Sequence, residues 1–266
     1  MSIPQEFRGR LRLPAIAAPM FLASGPALVI GTCKAGMVGT FPALNQRTSE
    51  GYDAWLQEIK AALDETRDAP FGINLIVHKT NPRLAADLDL TVKHRVPLVI
   101  TSLGAVRDVV DAVHSYGGLV FHDVINVRHA EKALAAGVDG IVAVCAGAGG
   151  HAGTYNPFAF VSELRPLLGE RTLVLSGCIS NGQGIAAAIA AGADLAYMGT
   201  RFIATTESIA QQAHKEMLCA AGAKDIVYTP KVSGVPASFL GPSIAAAGLD
   251  LSEQGHEGEL DFGAEL

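Results

Sequence analysis

The chain has 266 residues, of which 49% are hydrophobic and 17% charged, with a formal net charge of −6. That balance excludes a disordered chain and supports a large core, and the acidic sign argues against nucleic acid or an anionic membrane as partner. No apolar run approaches the roughly 18 residues of a membrane span, and Met1-Ser2-Ile3-Pro4-Gln5-Glu6 lacks the basic-then-apolar order of a secretory leader. Cys33, Cys145, Cys178 and Cys219 form neither a CxxC pair nor a metal-ligand spacing. A reduced, cytoplasmic protein without a metal is expected, with the oligomeric state left open.

In chain order, short β-branched runs alternate with alanine-rich helical stretches. The predicted strands are Ala15–Ala18, Met37–Thr40, Phe71–Leu75, Leu98–Thr101, Gly118–Asp123, Gly140–Val144, Thr172–Ser176 and Leu195–Met198. They are apolar throughout, as parallel strands covered on both faces are. The clearest predicted helices are Ala54–Arg67, Ala105–Tyr116, Val127–Ala136, Asn181–Ala191 and Glu207–Ala221. Gly36, Gly137 and Gly192, and more loosely Gly117, stand where a helix ends and a strand begins, and Asn126 and Asn181 suit N-caps. Eight such units predict an α/β fold, a (β/α)8 TIM barrel, with residues 1–223 as the barrel. A doubly wound sheet would carry GxGxxG after its first strand, where Ala18-Pro19-Met20-Phe21 stands instead. Residues 224–266, broken by Pro230, Pro236 and Pro242, are expected to make a short C-terminal excursion over the barrel mouth and to end in an acidic tail from Asp250.

Chemistry in such a barrel gathers at the carboxyl ends of the strands. The sixth predicted strand runs into Ala146-Gly147-Ala148-Gly149-Gly150-His151-Ala152-Gly153, with four glycines within seven residues and one imidazole among them. Glycines let backbone N–H groups approach a ligand, and the imidazole can serve as a base. The seventh strand ends in Ser176-Gly177-Cys178 and the eighth in Met198-Gly199-Thr200, turns of the kind that hold a phosphate in barrels. No GxxxxGK[ST] is present, so a nucleoside triphosphate is not indicated. His122-Asp123, at the end of the fifth strand, is expected to face the mouth.

Ala148–Gly153, Ser176–Gly182 and Gly192–Phe202 together resemble the nitronate monooxygenase family, formerly 2-nitropropane dioxygenase, over roughly residues 12–206. The resemblance implies an FMN-dependent barrel and a cytoplasmic flavoprotein oxidoreductase that oxidises a small nitronate or related carbon acid with oxygen. It implies Ala18, Pro19 and Met20 along the flavin, Asn74 facing flavin or substrate, Gly149 and Gly150 at the ring or its ribityl chain, Gly177, Cys178, Gly199 and Thr200 holding the phosphate, and Met198 also at the cofactor. His151 falls on the family's catalytic base, and His122 and Asp123 join the cofactor site. The chain departs from the family pattern in three places. Asp123 stands where some relatives have lysine, Cys145-Ala146-Gly147-Ala148 lacks an acid before the glycines, and the region after the eighth strand is short.

An alternative on the same scaffold is an NAD(P)H-dependent flavin reductase of an enoyl thioester or quinone. A flavin-free isomerase or aldolase with a phosphate site for its substrate, and a non-catalytic flavin-binding relative, are further classes. The partners expected are a small-molecule substrate with oxygen or NAD(P)H, and neither nucleic acid nor membrane.

Overall fold

The structure is a computed structural model that describes residues 2–104, 107–232, 234–249 and 251. Eight parallel strands close into a barrel: β1 (Ala15–Ala17), β2 (Val38–Pro42), β3 (Phe71–Ile76), β4 (Leu98–Ser102), β5 (Leu119–Val124), β6 (Gly140–Val144), β8 (Thr172–Ser176) and β9 (Leu195–Met198), with β9 paired back onto β1. The two-residue strand β7 (Gly150–His151) leaves the barrel after β6. Around the outside lie α1 (Pro26–Lys34), α2 (Ser49–Ala62), α3 (Leu84–Lys93), α4 (Arg107–His114), α5 (Val127–Ala136), α6 (Pro157–Leu168) and α7 (Gly182–Ala190), and the short α8 (Thr200–Ile203) follows β9.

The strand period of two sorts the apolar side chains into two cores. Ile16, Val38, Leu98, Ile100, Phe121, Val142, Val174, Leu195 and Tyr197 fill the barrel, whereas Val99, Val120, Ile141, Leu173 and Ala196 pack outward against the helices. The barrel is stoppered at its amino end by Phe7, which belongs to the 3-10 turn Gln5–Phe7 and meets Phe121 with ring centroids 6.3 Å apart.

Caps set the helix boundaries. Asn126 accepts from the His129 N–H at 2.8 Å and Asn181 from the Gly184 N–H at 2.9 Å, as their positions predict. The second helix starts earlier than its apolar pattern predicts, because Thr48 caps it by accepting from the Gly51 N–H, and it ends at Ala62. The helix expected from Glu207 begins only at Gln212 (α9, Gln212–Ala220). Ser208 is occupied instead with the Ala23 carbonyl and the Ala210 N–H. The predicted Ala105–Tyr116 helix is observed as Arg107–His114, and Ala105 lies outside the described residues. Helix α1 was expected through its end at Gly36, while α3 and α6 carried no expected bounds.

The C-terminal segment folds over the mouth. β10 (Ile226–Thr229) and β11 (Ala237–Leu240) form an antiparallel pair, β11 pairs with β7, and α10 (Gly241–Ala246) follows. Of the acidic tail, only Leu251 is among the described residues. No helix among those residues is long and apolar enough to cross a membrane.

Candidate active site at the barrel mouth

Four strands present polar groups to the upper interior. Asn74 on β3 donates from Nδ2 to the Ile100 carbonyl at 3.0 Å and to Ser102 Oγ at 2.7 Å, and Ser102 donates to Asp123 Oδ2 at 2.6 Å. Asp123 Oδ1 is buried and has no hydrogen-bond partner among the described residues. Burial pushes the Asp123 carboxyl up to about 6, against the opposing effect of the Ser102 hydrogen bond. Tyr197 joins this layer from β9. Burial, reinforced by the Asp123 charge, holds its phenol well above the ordinary range, so it stays neutral.

The expected His122-Asp123 pair is split. Neighbouring residues of a strand point to opposite faces, so with Asp123 inward His122 turns outward, its Nδ1 2.7 Å from Thr101 Oγ1. Burial, with a smaller contribution from His129 on α5, pulls the His122 imidazole down to about 4. His122 therefore belongs to the strand–helix layer and not to the mouth. Met198 is corrected in the same way. Its side chain packs in the outer core, and its carbonyl continues the β1–β9 ladder by accepting from the Ala18 N–H at 2.9 Å.

The remaining residues converge. Ala18, Pro19 and Met20 form a turn braced by Asn45, whose Nδ2 donates to the Met20 and Ser24 carbonyls, and by Ser24 Oγ, which accepts from the Met20 N–H. A Cβ on Gly199 would lie 3.6 Å from Met20 Sδ, and one on Gly149 would lie 3.1 Å from Thr200 Oγ1. Gly147 has φ +82°, and a Cβ there would come within 2.1 Å of Cys178 Sγ. Cys178 itself takes φ +54° and donates its N–H to the Gly147 carbonyl at 3.1 Å. The turns after β1, β6, β8 and β9 thus meet in one corner, packed closely enough that Gly147 has no room for a side chain.

His151 is exposed on β7, in register with Ala237, and Gly150 is in register with Ser238. Tyr228 donates its hydroxyl to the Ala152 carbonyl at 3.0 Å, tying the C-terminal hairpin to this strand. The stretch read from sequence as a glycine nest is thus partly a strand, held by a distant segment. Ala148 and Ala152 close the top of the inner core on either side of it. The rim of the mouth is apolar, with Phe21, Leu22, Leu103, Ile125, Tyr155 and Phe158 all exposed beyond strand ends. Sequence reasoning missed Ser102 and Tyr197. The alternation Leu98, Ile100, Ser102 was the signal for the first.

The sequence model of the nitronate monooxygenase family matches residues 9–245. The chain belongs to the nitronate monooxygenase family. It is an oxidoreductase on that ground, and flavin dependence is general in the family. A nitronate monooxygenase of Paraburkholderia phytofirmans is 28% identical over 89% of this chain and 76% of its own length. A Rhodococcus jostii protein named (3aS,4S,5R,7aS)-5-hydroxy-7a-methyl-1-oxo-octahydro-1H-indene-4-carboxyl-CoA dehydrogenase is 28% identical over 84% of this chain, which spans 61% of that relative. Among solved structures, FabK from Thermotoga maritima matches at TM-score 0.78 with 27% identity, covering 87% of this chain and 72% of its own. The nitroalkane oxidase from Streptomyces ansochromogenes matches at 0.78 with 25% identity, covering 89% and 79%.

Proposed function

We propose that this chain is an FMN-dependent oxidoreductase that oxidises a small nitronate or related carbon acid, with oxygen as acceptor. The observation that carries the reading is the glycine corner formed by Gly147, Gly149, Gly177 and Gly199 beside a polar barrel floor. Side chains at Gly147 or Gly177 would collide with Cys178 Sγ or the Ala146 carbonyl, so these glycines let the turns close on one another at the mouth, and the buried Asp123 Oδ1, without a partner among the described residues, awaits a polar group. Both features fit a flavin mononucleotide. Gly177, Cys178, Gly199 and Thr200 would hold its phosphate, Ala18–Met20 and Gly149–Gly150 would line it, and Asn74 and Asp123 would face the mouth. No GxGxxG turn is present to take a second phosphate and an adenosine, which favours FMN over FAD. When bound, FMN supplies the two-electron oxidation.

The chain's own part is acid–base and positional. His151, carried on β7, which pairs with β11, removes the proton alpha to the activating group of a neutral carbon acid. The apolar rim receives the hydrocarbon part of the substrate. Exposed Cys178 and Cys219 thiols suit a reducing compartment, and we place the protein in the cytoplasm.

A second reading has its own support. Similarity to FabK and to a relative named for a carboxyl-CoA compound, together with the apolar rim, favours an NAD(P)H-dependent reductase of a thioester. One experiment separates the two. Under anaerobic conditions a nitronate should bleach the bound flavin in the first case and NADH or NADPH should in the second. His151→Asn should retain flavin and lose about 10²–10⁴-fold in rate on a neutral nitroalkane, with a smaller loss on the pre-ionised nitronate. Equal losses on both forms would remove proton abstraction from its role, and a purified protein without flavin would overturn the cofactor assignment.

A further inference from the structure

The hydrogen bonds in the barrel floor run in one direction. The Ile100 carbonyl can only accept, so the group of Asn74 that faces it is the NH2. The same NH2 donates its second proton to Ser102 Oγ, which leaves the Ser102 hydroxyl proton for Asp123 Oδ2. With the Ser102 hydroxyl donating to Oδ2, the place left for a proton on Asp123 is Oδ1, the buried oxygen without a partner among the described residues.

Among the described residues no cation offsets a charge at this position. Of the elements packed around Asp123, β3 contributes Asn74, β4 Ser102, β9 the neutral Tyr197, and β6 the apolar Val142 in register with it. His122 and, beyond it, His129 lie on the outer side of the strand. An ionised Oδ1 here would be a buried charge with a single hydrogen bond on its carboxylate, which is costly. A neutral carboxyl lacks only an acceptor for its proton.

We infer that Asp123 presents a neutral carboxyl, with its proton on Oδ1, as a hydrogen-bond donor to an acceptor atom of the flavin bound in the mouth. The inference rests on the FMN reading above. The upward displacement of the carboxyl, to about 6, agrees in direction with a proton held more tightly than an ordinary carboxyl holds one.

Binding of oxidised FMN, followed by flavin fluorescence from pH 5 to pH 8, tests this in the wild-type protein, Asp123→Asn and Ser102→Ala. The FMN phosphate has its own ionisation near pH 6, so the reading is the ratio of variant to wild-type affinity at each pH. Asparagine is a permanent donor of the same shape. The Asp123→Asn ratio should be near one at pH 5, reach about tenfold at pH 7 and climb further at pH 8, as the wild type loses its proton. Removal of the Ser102 donor favours the protonated acid, so Ser102→Ala should lose affinity at a higher pH than the wild type does. A ratio flat across the range would overturn the neutral-donor role while leaving the FMN site intact. Absence of FMN binding in every protein at every pH would overturn the FMN reading and this inference together.

Discussion

Gly147 and Cys178 share a space that admits one side chain between them. With φ at +82° and Cys178 Sγ 2.1 Å from the position of a Cβ, Gly147→Ala has both a strained backbone and a collision. The collision is removable, because Cys178 sits at φ +54°, a conformation that glycine adopts freely. Gly147→Ala should therefore lose flavin retention, and adding Cys178→Gly should restore much of it. The residual defect should match the strain of one left-handed alanine, about 1 kcal/mol. Flavin-to-protein ratios after gel filtration of the two variants make the comparison, and a double variant as empty as the single one would refute the shared-space account. The need for glycine here was legible as a glycine-rich stretch. That Cys178, 31 positions away, imposes it was not.

At the scale of elements, two short pieces far apart in sequence finish the barrel. The turn Gln5–Phe7 places a fully buried ring at the amino end, against Phe121. Phe7→Ala should destabilise the protein by about 3–5 kcal/mol, the usual result of emptying a buried aromatic site. A denaturant titration that shifts by less than about 1 kcal/mol would mean the ring is dispensable as a stopper. At the other end, β7 acquires strand geometry only because β11 supplies its partner. Glycine-rich segments have weak strand preference of their own, so nothing in Gly147–Gly153 announced a strand. The long apolar β6 and β8 were by contrast readable to the residue.

For the whole molecule, His122 and Asp123 make opposing contributions to stability as pH changes. His122 is displaced down from 6.5 to about 4, so its contribution is present above 6.5 and lost as pH falls through 4. Asp123 is displaced up from 3.8 to about 6, so its contribution is present below 3.8 and lost as pH rises through 6. Between about pH 4 and 6 the unfolded chain gains a proton at one residue and yields one at the other, and the two slopes nearly cancel. Asp123→Asn should uncover the histidine, giving stability that rises with pH by up to about 1.4 kcal/mol per unit relative to wild type. His122→Asn should give the opposite slope. Urea midpoints measured at several pH values check both, and parallel pH profiles in all three proteins would contradict the opposed burial.

The sequence by itself determined the barrel, its strand order, the helix-ending glycines and the family, because these rest on local signals: apolar runs, caps, left-handed positions and contiguous motifs. It also placed Asp123, the glycine corner and His151 at the carboxyl ends of strands. Only the tertiary structure decided which of two adjacent residues, His122 or Asp123, enters the mouth, that Met198 packs outward, and that Ser102 links Asn74 to Asp123. Side-chain facing depends on the register of neighbouring strands and on the closure of the sheet, and neither quantity is contained in any single segment.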